Sequence, residues 1–187
     1  MWQLIRICML MVMMLVVVAC GTSGAPATTE SHSTDHDMSA MAPSDAPYDL
    51  LFLDSMVAHH QGAIDMARDA LDKAEHAELK AFAQNVIMQQ DGEITQMQTW
   101  RAKWYPDAAA TNGLGMHMGD MQIGTDDSIS YDIRWIDAMI SHHLGAVDMA
   151  KDALKKSQNP DIINLCNAII QAQTEEISQL QRWREQW

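Results

Sequence analysis

From Tyr48 onward the apolar residues recur three and four positions apart, the spacing of one face of an α-helix. Phe52, Met56, His60, Ala63 and Ala67 fall on one narrow stripe, and Leu79, Phe82, Val86, Met97 and Trp100 fall on another. Charged and amide side chains fill the positions between. The pattern predicts a helix from about Asp49 to Lys73 and a second from about Glu78 to Lys103. Asn159-Pro160-Asp161 marks the break before a later helix. Proline is favoured in a first helical turn, where its missing N–H costs little, and an acidic residue there suits the helix dipole. Ala-Glu-His-Ala-Glu does the same work less distinctly between the first two helices.

The pattern then repeats. Tyr48–Trp104 aligns with Tyr131–Trp187 without a gap, at a constant offset of 83 (131 − 48). Both aromatic ends, both histidine pairs, Asp54/Asp137, Met56/Met139, Met66/Met149, Gln90/Gln173, Glu93/Glu176 and Trp100/Trp183 are kept. The second copy therefore predicts helices from about Asp132 to Lys156 and from Pro160 to the C-terminus. Two duplicated αα-hairpins make an all-α four-helix bundle spanning residues 48–187. Its repeats are 48–104 and 131–187. Their connector, 105–130, is Gly-rich and carries GLGMHMGDMQIG.

The segment before the bundle has another character. Arg6 precedes a short apolar run that ends at Cys20-Gly21, the layout of a secretion signal. The run is short for a transmembrane helix. Val-Val-Ala-Cys resembles a lipobox, which implies a signal peptide over 1–19 and a lipidated Cys20 that anchors the protein to a membrane. Either way the rest of the chain is expected outside the cytoplasm, at the cell membrane or in the periplasm. Residues 20–47 are small, polar and proline-containing, and read as a flexible tether. With Cys8 in the signal and Cys20 lipidated, only Cys166 remains, in an apolar stretch, so no disulfide framework is expected. The formal charge of −13, from 12 Lys+Arg against 25 Asp+Glu, argues against nucleic acid as a partner and would concentrate cations.

Chemistry enters with the histidines. On a helical wheel His60 lies about 40° from Met56, inside the apolar stripe, whereas His59 shares its edge with Met66. Asp54, Asp65 and Asp69 fall on the opposite face, as solubility or inter-helix contacts. On the second helix Glu93 sits among Val86, Met97 and Trp100, and Glu176 repeats it among Ile169, Leu180 and Trp183. A carboxylate there is costly unless paired, and His60 is the available partner. Three arrangements remain open: an internal His–Glu hydrogen bond, a carboxylate supporting a metal-bound histidine, or direct ligation. No Glu-x-x-His of the di-iron type occurs. Met-x-x-His-His followed by methionine is a softer set, suited to copper and to Cu(I) especially; methionines that merely fill a core are the plain alternative. Met56, His59, His60, Met66 and Glu93, with Met139, His142, His143, Met149 and Glu176, are the candidate ligands. Met116, His117, Met118 and Met121 in the connector and His32 and His36 in the tether are auxiliary candidates.

The motif His-His-x-x-Ala-x-x-Met-Ala, followed by Gln-x-x-Glu-Ile-x-x-Met/Leu-x-x-Trp, resembles the DUF305 family of secreted bacterial proteins. It falls on His59, His60, Ala63, Met66, Gln90, Glu93, Ile94, Met97 and Trp100, and again 83 residues later with Leu180 in place of Met97. The resemblance implies a ferritin-like fold and, for some members, periplasmic copper or silver binding. The expected function is extracytoplasmic copper (Cu(I) or Cu(II)) or silver sequestration or handling, without catalysis. Its alternatives are a metal-dependent oxidase-type bundle enzyme and a non-catalytic structural or interaction module. A homo-oligomer or a metal-transfer partner is compatible with either binding role.

Overall fold

The computed structural model describes residues 46–115 and 122–187. These residues form four α-helices: α1 (Tyr48–Lys73), α2 (Ala77–Trp104), α3 (Tyr131–Lys156) and α4 (Pro160–Gln186). Each boundary lies within a residue or so of the periodicity reading. The termini show why. Asn159 accepts a hydrogen bond from Asp161 N at 3.0 Å and Pro160 opens α4, while the Ser130 hydroxyl accepts from Ile133 N at 3.3 Å. Acidic residues occupy every first turn and basic residues every last turn, as the helix dipole favours.

The α1–α2 loop is capped from elsewhere. Asp132, on α3, accepts from Glu75 N at 3.0 Å and His76 N at 2.9 Å, and lies 2.7 Å from His76 Nδ1. The C-terminal Trp187 ring stacks on His76 with centroids 3.8 Å apart. One loop is thus held by a carboxylate of the other hairpin and by the last residue of the chain.

The close helix pairs are α1 with α2, α3 with α4, and α1 with α3. The two hairpins meet through α1 and α3, which run antiparallel. Tyr48 at the start of α1 donates to Asp152 near the end of α3, and Tyr131 at the start of α3 donates to Asp69 near the end of α1, both at 2.8 Å. Residue i of one copy meets residue j of the other, and j meets i, as a two-fold relation requires. Arg101–Asp54 and Arg184–Asp137 repeat the symmetry within the hairpins.

Two apolar clusters result, each built from all four helices. One joins Ala67, Leu79, Trp135 and Leu180; the other joins Phe52, Met97, Met149 and Ile162. The indole N–H of Trp135 donates to Met66 O at 2.8 Å, so its polar atom is satisfied inside the core. Cys166 is buried and its thiol is pushed up to about 12, mainly by burial, which suits a small hydrophobe. No helix among the described residues is long and apolar enough to cross a membrane.

Candidate metal centre

Between the two apolar clusters lies a polar layer. His59, His60, His142 and His143 are each fully buried, and Gln90 and Gln173 are 2% exposed. The layer sits where α1 crosses α3. There the His59 and His142 rings, equivalent in the two copies, meet with centroids 3.8 Å apart and planes tilted by 46°. His60 lies 6.3 Å from His59 and His143 lies 6.4 Å from His142, ring to ring.

The outer pair of histidines meets the carboxylates expected for it. His60 Nε2 is 2.6 Å from Glu93 Oε2, and His143 Nε2 is 2.9 Å from Glu176 Oε2, although off the line of a good hydrogen bond. The carboxylates are 16% and 17% exposed, so they join the buried layer to its surroundings. With Nε2–H of His60 donated to Glu93, its Nδ1 presents a lone pair to the interior and has no partner.

His59 is not at the rim. The wheel placed it with Met66 at the edge of the stripe, yet His59 is fully buried and Met66 is 5% exposed. The reason is that α1 is covered on two flanks, by α2 and by α3, so its buried face is far broader than one stripe. The aspartates bridge elements or face solvent. Asp54 accepts from Arg101 and Thr111, Asp69 accepts from Tyr131, and Asp65 is 63% exposed beside Arg68.

Nine side-chain nitrogen and oxygen atoms in this layer are buried without a well-formed hydrogen bond: both ring nitrogens of His59, His142 and His143, Nδ1 of His60, and the Oε1 atoms of Gln90 and Gln173. Each such atom costs about 1–3 kcal/mol, and native structures tolerate few. Water or a metal ion would satisfy them. The donors are neutral imidazoles. Burial, reinforced by the neighbouring histidines, pulls the pKa of His59 down to about 2 and that of His142 to about 3. Neutral imidazole is the form that binds a metal.

The methionines flank this layer. Met66 and Met139 share one apolar cluster, and Met56 and Met149 share the other; all four are buried. Leu180 and Met97 are equivalent and equally buried, so the second copy lacks one thioether. No three His, Cys, Asp or Glu side chains among the described residues converge tightly enough to hold an ion as they stand. A carboxylate-rich di-iron set is therefore not assembled there. Gln90 and Gln173 were the layer members that ligand chemistry alone does not single out; their repetition three residues before the glutamates was the available signal. Cys20, His32, His36, Met116, His117, Met118 and Met121 lie outside the described residues.

CopM in its Cu(I)-bound form is 37% identical and superposes with a TM-score of 0.65, covering 76% of this chain and 99% of CopM. CopM in an Ag-bound form gives 37% and 0.63, covering 74% and 96%. A DUF305 fragment from Deinococcus radiodurans, 21% identical with a TM-score of 0.62 over 78% of this chain and all of the fragment (100%), shares the fold. A search of curated proteins finds no match. The profile of the DUF305 family, described as a domain of unknown function, matches twice, over residues 18–101 and 105–187. With both hairpins matched, the chain belongs to the DUF305 family.

Proposed function

We propose that the protein binds copper outside the cytoplasm, as Cu(I) or Cu(II), and sequesters it or passes it on; silver, which resembles Cu(I) in softness, competes for the same donors. The carrying observation is the buried layer of partnerless imidazole nitrogens at the crossing of α1 and α3. The donor set fits a soft ion: His59 and His142 at the centre, and His60 and His143 oriented by Glu93 and Glu176. Met56, Met66, Met139 and Met149 supply thioethers after side-chain adjustment. CopM, solved with Cu(I), Cu(II) and silver, supports this choice of ion. The signal-like residues 1–19, a lipidated Cys20 and the tether 20–47 would hold the bundle at a membrane. His32, His36, Met116, His117, Met118 and Met121 would capture ions transiently.

The test is a titration with Cu(I) and with Cu(II) against competing chelators, together with melting curves. Binding to the folded state raises stability by mass action, by about 3 kcal/mol at a free-ion concentration one hundred times Kd. Affinity no greater than that of a scrambled His/Met peptide would end the reading. The second reading, a bundle with purely internal His–Glu contacts, draws on the short His60–Glu93 contact. It expects His60→Ala to destabilise metal-free protein and copper to leave the melting point unchanged.

A further inference from the structure

We infer that the ion reaches the histidine layer through the groove between α2 and α4, with Glu93 and Glu176 as its two gateposts; this rests on the copper reading. Three sides of the bundle are closed by tight helix pairs, α1·α2, α3·α4 and α1·α3. The edge between α2 and α4 is the looser one. A groove of about 510 Å³ opens there, lined among others by Gln89, Ala172, Glu176, Gln179 and Arg182.

The position of this groove matters. Gln89 and Ala172 are equivalent residues of the two copies (172 − 89 = 83), so the groove, lined mostly by α4, reaches the pseudo-two-fold axis between them. His59 and His142, in tilted ring contact, straddle the same axis. The axis therefore leads from the open groove to the centre of the buried layer. Glu176 lines the groove and lies beside His143. On the other lip Gln89 donates to Glu93 Oε1 at 3.4 Å, and Glu93 holds His60. These carboxylates are the partly exposed neighbours of His60 and His143, two of the four fully buried histidines. A cation leaving water meets a carboxylate first and an imidazole next, with a partner at each stage of its desolvation. Arg182 is the cation among the lining residues and opposes entry.

The experiment measures uptake and release of Cu(I), transferred anaerobically from an absorbing Cu(I) chelator, by stopped flow on the full chain. Ala172→Trp should fill the groove. Uptake and release should both slow by about tenfold or more, leaving Kd and the helical circular dichroism unchanged, since an obstructed passage affects both directions alike. Arg182→Glu should speed uptake by about threefold at low salt, an advantage lost as salt rises. Lys151→Trp, an exposed change on α3, should leave the rates alone. Should Ala172→Trp not fold, Ser178→Trp on the same wall replaces it. Unchanged rates in the groove variants, or equal slowing by Lys151→Trp, would overturn the route while leaving the copper reading intact. Failure of the unaltered protein to bind Cu(I) would overturn that reading and the route with it.

Discussion

The histidine at position 59 carries the strongest residue-scale consequence. It spends stability: its buried ring nitrogens make no well-formed hydrogen bond, and neither do those of His142, each ring meeting only a weak contact with the other residue's backbone. Replacing His59 by Phe, or His59 and His142 together, removes that penalty while keeping an aromatic of similar shape. Metal-free protein should then be more stable by about 1–3 kcal/mol per histidine, measured by denaturant titration with chelator present, and the copper-dependent gain should vanish. A loss of stability in metal-free protein would contradict the orphaned-atom account. Acidity probes the same feature. Free histidine titrates near 6.5, whereas His59 and His142 are held far below. Below pH 6.5 the unfolded chain therefore binds protons that the folded chain refuses, and stability falls as pH falls. The slope should be roughly 1 kcal/mol per pH unit for each histidine, and flat between pH 7 and 8. The carboxylates Asp54, Asp69 and Asp152, whose pKa values are lowered against their burial by hydrogen bonds, add a second loss only at lower pH.

At the scale of elements, the helices were legible because their signals are local: a period of apolar residues, Pro160 in a first turn, a repeat that states everything twice. The His60–Glu93 pairing was legible for the same reason, each residue lying on the inward stripe of its own helix. What was not legible depends on neighbours. Burial of His59 depends on α3 covering a second flank of α1, and the cap on the α1–α2 loop comes from Asp132, 56 residues beyond His76. Asp132→Ala should therefore destabilise by about 1–3 kcal/mol and loosen a loop in the other hairpin, visible as faster amide exchange at Glu75 and His76. Asp49, the same residue type at the equivalent position, should matter less. The connector has its own device. Gly113 has φ +68°, and a Cβ there would lie 2.2 Å from Ser55 Oγ, which accepts from Leu114 N. Gly113→Ala should cost about 1–3 kcal/mol. Gly115, with φ +60° but open space around it, should cost less.

For the whole molecule, the division of the core is decisive. Each apolar cluster draws on all four helices, and the histidine layer takes half its members from each copy. Neither hairpin owns a core. Residues 46–104 and 122–187, expressed separately, should each show little stable helix by circular dichroism, and mixing them should restore a cooperative melt. Independent folding of either half would contradict this. The reciprocal contacts of Tyr48 and Tyr131 have a historical side as well. A lone hairpin bearing this surface would close the same bundle as a homodimer, and every change in its gene would appear on both sides at once. With both copies in one chain, each side is free to vary alone. Thr99 and Arg182 are equivalent, as are His76 and Asn159, and Met97 and Leu180. One lip of the α2–α4 groove can thus carry a guanidinium, and one loop a histidine, without the equivalent position following.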